Sequence, residues 1–418
     1  MADQGLSLKQ NMLWNSVGSM VYLGCQWLIT VVVVRLSGGY DAAGVLALGM
    51  SVSNIFSPIG YYKIRPYQVS DVDEEFTPGQ YIAFRIVTVG FALAIMVVYG
   101  LLTCPGYTIP CVFLYGIYSL GPVFVDVIQG IDQQRNRMDI IGKSLIVRGI
   151  LSLASFVVVM KATGSLLMAL LAMTVLTFVV IALYDLRETE KLGVSLRPDF
   201  GWKAIRTLLV VCLPAVVALF FSSAVPSLPR QVLGNMYGEA ALGVYASVAS
   251  PVLIIQMGAQ YLYAPVLGAL AQSYKRGDAR KFVKIVLAIF LGIVAIALVG
   301  IIAFLFLGGP LLSLMYGDSI LPYLYLLNPL VICTAMVAFA WFLGDLLIAI
   351  RDMTGNFIAY LIAFVVCLVT MNPFITLWEL NGASFVVIAA YASTVLFALG
   401  RVLMRVRKLK EGERAVVR

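Results

Sequence analysis

Apolar runs of roughly 20 to 25 residues recur along this chain, the length at which a helix crosses ~30 Å of hydrocarbon. No other feature constrains the fold as strongly. Inside a bilayer every backbone N–H and C=O needs an internal partner, which only helices and closed barrels supply, and these runs lack the alternation of barrel strands. They predict spanning helices at 12–36, 42–62, 80–103, 108–128, 142–162 and 165–184, then at 204–228, 240–264, 283–307, 321–349, 357–377 and 383–404. With 61% hydrophobic and 12% charged residues, a water-soluble fold of 418 residues has nowhere to hide its apolar surface. The expected fold is an all-α polytopic membrane protein of about 12 helices, in two pseudo-symmetric six-helix lobes around a central cavity.

A formal charge of +8 raises nucleic acid as a partner, but the cations sit in short connections and in the tail after Leu403, so topology explains them and no nucleic acid is expected. Of 29 Lys and Arg, only Arg35, Lys161 and Arg230 fall on the face opposite the termini. The positive-inside trend then places both termini in the cytoplasm and the chain in the inner (cytoplasmic) cell membrane. The first run begins near Met12, is too long for a signal-peptide core and lacks an A-x-A-like site, so it is expected to stay as a helix.

Gly44 to Pro66 aligns without a gap on Gly243 to Pro265, matching Val45/Val244, Ala47/Ala246, Ser51/Ser250, Ile55/Ile254, Tyr62/Tyr261 and both ends. The match joins the second helix of each half and predicts a duplication with parallel halves. The domains expected are a lobe at 1–184, a charged cytoplasmic connector at 185–202 and a lobe with a basic tail at 203–418.

The chain has no histidine, which removes imidazole metal sites, His-based triads and histidine proton relays. There is no P-loop, so neither ATP hydrolysis, an enzymatic role nor a cofactor is expected. Cys104 and Cys111 flank a loop predicted to lie outside, where a disulfide persists if the two pair; spacing alone leaves this open.

Intramembrane charges are costly and mark functional positions or buried pairs. Arg35 and Arg230 lie near the outer ends of the first and seventh helices, placed either to clamp an anion from both lobes or to snorkel. Arg85 and Arg148 lie a turn or two inside the inner face, with Arg65 at the end of the second helix; they are candidates to receive an anion, with snorkelling the alternative. Asp126 and Asp345 are the deepest carboxylates and the candidates for Na⁺ or H⁺ coupling, the alternative being a pair with an arginine such as Arg148 or Arg351. Pro214, Pro226 and Pro251 lie inside predicted helices, where they kink the backbone and suit either a hinge or static packing.

Three stretches carry a family resemblance: Leu8 to Asn15; Arg65-Pro66-Tyr67-Gln68-Val69-Ser70-Asp71 with Tyr81 and Arg85; and Gly130-Ile131-Asp132-Gln133-Gln134 through Arg137-Met138-Asp139 to Gly142-Lys143-Ser144. They resemble the Wzx-type oligosaccharide flippases, in the superfamily that includes multidrug extrusion transporters and the lipid II flippase. The resemblance implies two six-helix lobes around a cationic cavity that moves a polyprenyl-pyrophosphate-linked glycan or cell-envelope polymer precursor to the outer leaflet by alternating access. It directs attention to Arg35 and Arg230 first. The twelve helices expected here are fewer than those of the lipid II flippase, which the resemblance implies has an additional pair after the twelfth. The rival expectations are a cation-coupled multidrug antiporter, which needs an acidic cavity, and a non-transporting scaffold for envelope assembly.

Overall fold

The structure, a computed structural model, describes residues 6–71 and 75–416, with side chains through Arg407 apart from Leu8. No strand occurs among the described residues. Among the described residues ten helices are long and apolar enough to cross a membrane, and two of them exceed a single crossing, at 74 and 55 residues. Non-helical residues divide these two, Gly238 (φ 85°, ψ 169°) and Glu379 (φ 49°, ψ −123°), so the path of the chain gives twelve. The chain is therefore a multi-pass membrane protein, as its apolar periodicity predicts.

Contacts divide it into two units, Met1–Ser223 and Ala224–Arg418. The first holds α1 (Leu8–Ser37), α2 (Asp41–Tyr61), α3 (Pro78–Thr103), α4 (Ile109–Gln134), α5 (Met138–Thr163) and α6 (Leu166–Val180). A π turn at Ile181–Asp185 and a last turn at Leu186–Glu190 extend α6. The first part of α7 (202–237) also belongs to this unit. Ala204, Ile205, Leu208, Cys212 and Val216 of α7 are buried in one cluster with Phe84, Val127, Ile128 and Ile181.

The helix ends are written in local chemistry. Ser7 and Thr77 form capping boxes with Gln10 and Gln80, and Pro78 occupies a first-turn position. Gly38 and Gly164 close α1 and α5 in the left-handed conformation, at φ 71° and 65°. α1 and α5 then meet backbone to backbone: a Cβ on Gly18 would lie 2.6 Å from Gly142 Cα, and one on Gly149 would lie 3.0 Å from Tyr22 Cα. The segment at 191–201 packs on the start of α3, where Asp199 N–H donates to Gly79 O at 3.0 Å and Gln80 donates to Asp199 at 3.1 Å.

The second unit holds α8 (239–263), α9 (Ala279–Tyr316), α10 (Leu327–Ala349), α11 (353–378) and α12 (380–416). Tyr245 and Ser384 join α8 to α12 through their hydroxyls at 3.0 Å.

Candidate functional site

α2 ends on Tyr62 and Lys63, both with positive φ (48° and 52°), and the chain turns directly into a short helix at Ile64–Ser70. This break leaves the Gly60 carbonyl without its helical partner. Arg85 of α3 supplies one through Nη1, and Thr88 Oγ1 a second at 3.0 Å. The Arg85 guanidinium is fully buried, and its Nη2 donates to Asp126 Oδ2 of α4 at 2.8 Å. It also sits 5.8 Å from the centre of the Tyr61 ring. Burying a guanidinium is costly, and pairing of this kind offsets the cost.

The second oxygen of Asp126 takes Arg65 Nη1 at 3.2 Å. The remaining face of Arg65 is held by Gln133 Oε1, at 3.2 Å from Nε and 3.0 Å from Nη2. Two guanidinium groups therefore share one carboxylate at hydrogen-bond distance, and the buried Asp132 is a second acid within electrostatic reach of Arg65. Arg85 is 0% exposed, whereas Arg65 keeps 22% and Asp126 15%, so the cluster is open on the Arg65 side.

Three of the arginine and aspartate positions singled out from sequence thus converge. Asp126 is paired, with Arg65 and Arg85 rather than with Arg148. Arg148, also buried, donates through Nε to Ser144 at 3.0 Å, and Ser144 donates to Asp185 Oδ2 at 2.9 Å. Tyr22 of α1 lies under the Arg148 guanidinium at 5.8 Å. In the second unit, Asp345 of α10 accepts from Tyr263 OH at 3.1 Å. Arg35 is exposed in the last turn of α1, and Arg230 is half-buried on α7 beyond Ala224. Cys104 and Cys111 are not joined by a disulfide.

Asp132, quoted above only within a resemblance stretch, forms a second buried polar group with Thr189, and Asp185 a third with Ser144. Asp132 and Asp185 are both fully buried, and Thr189 donates to Asp132 at 2.7 Å. In sequence Asp185 closes an apolar run and looks like the start of a charged connector. The π turn around it instead keeps the helix going and directs the carboxylate inward, a placement that apolar periodicity does not encode.

The three sequence stretches that carry the resemblance meet at one end of this unit. Gln134 donates to Gln68 O at 2.8 Å and Gln68 to Val127 O at 3.2 Å. Gly130 leaves room for Gln68, whose Cδ would be 2.7 Å from a Cβ there. Asn11 accepts from Met138 N–H at 2.8 Å, and Lys143 lies 5.3 Å from the Trp14 ring centre.

No protein-family model matches the chain. It is 26% identical over 388 residues to the capsular polysaccharide biosynthesis protein CapF of Staphylococcus aureus, covering 90% of this chain and 95% of the relative. An inward-facing multidrug resistance MATE family transporter of the MOP superfamily has a TM-score of 0.69 at 13% identity, covering 95% of this chain and 99% of that one. The lipid II flippase MurJ in an inward closed conformation has a TM-score of 0.71 at 12% identity, covering 95% and 90%. The structural likeness gives the fold, that of the MOP-superfamily transporters and of a flippase. Together with the capsular relative it bears out the resemblance drawn from the three stretches. These solved neighbours are transporters and a flippase, not enzymes.

Proposed function

We propose that this chain is a flippase carrying a polyprenyl-pyrophosphate-linked oligosaccharide, or a cell-envelope polymer precursor, from the inner to the outer leaflet by alternating access. The observation that carries the reading is the pair of guanidinium groups on one carboxylate at Arg65, Arg85 and Asp126, which suits a phosphate and opposes a cationic drug. The capsular relative, matched over 95% of its length, supports a glycan cargo. In this reading both termini are cytoplasmic, Arg35 and Arg230 hold the anion further along its path, and Arg148 supports the inner end. Asp126 and Asp345 are the positions for Na⁺ or H⁺ if an ion is coupled.

A glycan and pyrophosphate cannot cross hydrocarbon unaided, while the polyprenyl tail never needs to leave it. For an interior-negative potential, moving about two uncompensated negative charges outward releases ~2.3 kcal/mol per charge per 100 mV, roughly 4 to 5 in all. Flipping therefore needs no nucleotide. Depleting the protein is expected to build up a polyprenyl-linked intermediate in the inner leaflet, detected by lipid mass spectrometry. In reconstituted vesicles, flux of that lipid is expected to rise with the potential and to fall at least tenfold in Arg35→Gln/Arg230→Gln. Unchanged lipids on depletion would refute the flippase reading and favour a scaffold.

A further inference from the structure

We propose that Asp126 is a resident stand-in for the substrate's phosphate, and that Arg65 is the arginine that exchanges between the two. The proposal rests on the flippase reading and adds to it how the site is kept when no substrate is present.

The two arginines on Asp126 are not equivalent. Arg85 is buried, tied to the Gly60 carbonyl and enclosed by Tyr61, so it has no path to a ligand without dismantling the end of α2. Arg65 is partly exposed and stands on the short helix at Ile64–Ser70, immediately after two residues in the left-handed conformation. Its contact with Asp126 is also the longer of the two, 3.2 Å against 2.8 Å.

Charge balance gives the exchange its direction. At rest, two cations share one carboxylate at hydrogen-bond distance. When a phosphate takes Arg65, Asp126 keeps Arg85 and both cations have their own anion, so binding completes the pairing instead of exposing a buried charge. The Gln133 side chain accepts from Arg65 Nε and Nη2 at 3.2 and 3.0 Å and fixes the guanidinium, so that Nη1, also 3.4 Å from Gln129 Oε1, makes a single contact with Asp126 and is the group presented to a phosphate. Asp126 then lowers affinity in the resting state, and the same repulsion between carboxylate and phosphate favours release after transport.

The test is equilibrium binding of geranylgeranyl pyrophosphate and of inorganic pyrophosphate to the purified full chain in detergent. Asp126→Asn keeps an acceptor for Arg85 and removes the competing charge. It is expected to bind geranylgeranyl pyrophosphate about twofold to fivefold more tightly, the range a partly exposed ion pair supports. Arg65→Gln is expected to bind at least tenfold more weakly, and the double variant to behave like Arg65→Gln. A folded Asp126→Asn protein that binds no more tightly, or a double variant that keeps the gain, overturns the proposal. If Asp126→Asn does not fold, Arg65→Gln decides, since wild-type affinity in that variant overturns it equally. The second probe separates the two readings: a gain for inorganic pyrophosphate without any binding of the prenyl compound supports the exchange while sinking the flippase.

Discussion

Asp352, at the turn into α11, shows how much one side chain holds. It accepts Gly355 N–H at 3.0 Å, Arg401 at 2.9 and 3.1 Å, and Arg405 at 3.4 Å. Burial pushes its carboxyl pKa up, but the Arg401, Gly355 and Arg405 hydrogen bonds outweigh burial and hold it below the usual range. A depressed folded-state pKa contributes stability that is present above the unfolded value, near 4, and is lost as pH falls through the folded one. Asp71 has the same sign, its burial outweighed by Tyr81 OH at 2.7 Å and two backbone donors. Asp352→Asn is expected to cost about 1–2 kcal/mol at pH 7, seen as a lower thermal midpoint in detergent, and the difference from wild type should shrink below about pH 4. Glu379 is the opposite case, an exposed residue at φ 49° and ψ −123° where glycine is unstrained. Glu379→Gly is expected to raise stability by about 1 kcal/mol in the same assay. Charges of this kind divide by legibility. Arg65, Arg85 and Asp126 stand out in an apolar sequence, but which of them pair depends on the break after Tyr61, and nothing in their spacing announces it.

At the scale of elements, the internal repeat has a physical counterpart. The aligned helices α2 and α8 both end just before their matched prolines, the first in two left-handed residues and the second in a 3₁₀ turn at Ala264–Val266. Each break is held by the aspartate of a later helix in its own half, through Arg65 on Asp126 and Tyr263 on Asp345. The halves therefore keep the device but change its charge, positive in the first and neutral donor to carboxylate in the second. Caps and terminal glycines are set by neighbouring residues; the packing of α1 on α5 is not, because Gly18 and Gly142 are far apart in sequence. Gly142→Ala tests that packing. Alanine gains up to about 1 kcal/mol in helix propensity, but its Cβ would meet the Trp14 carbonyl carbon at 2.8 Å, and backbone displacement costs about 2–3 kcal/mol. Net destabilisation is the expected result, measured as a lower unfolding temperature.

For the whole molecule, hydropathy gave the number of crossings and their approximate spans, since length and apolarity are properties of each run alone. It places the natural division at the charged connector, whereas contacts place a boundary at Ser223 and Ala224, inside α7. The difference has a simple cause: a charged stretch marks where the chain leaves the membrane, not which neighbours a helix packs against. Here the stretch at 191–201 binds the start of α3, and α7 begins in the core of the first unit. The glycine contact between α1 and α5 also imposes an order in time. At about 5 to 20 residues per second, synthesis runs from the end of α1 at Ser37 to the end of α5 at Thr163 in roughly 6 to 25 seconds. Throughout that interval Tyr22 has no arginine above it and the glycine face of α1 has no partner. The ribosome thus delivers a helix that must wait, beside the insertion machinery or in lipid, for the surface it was shaped to meet.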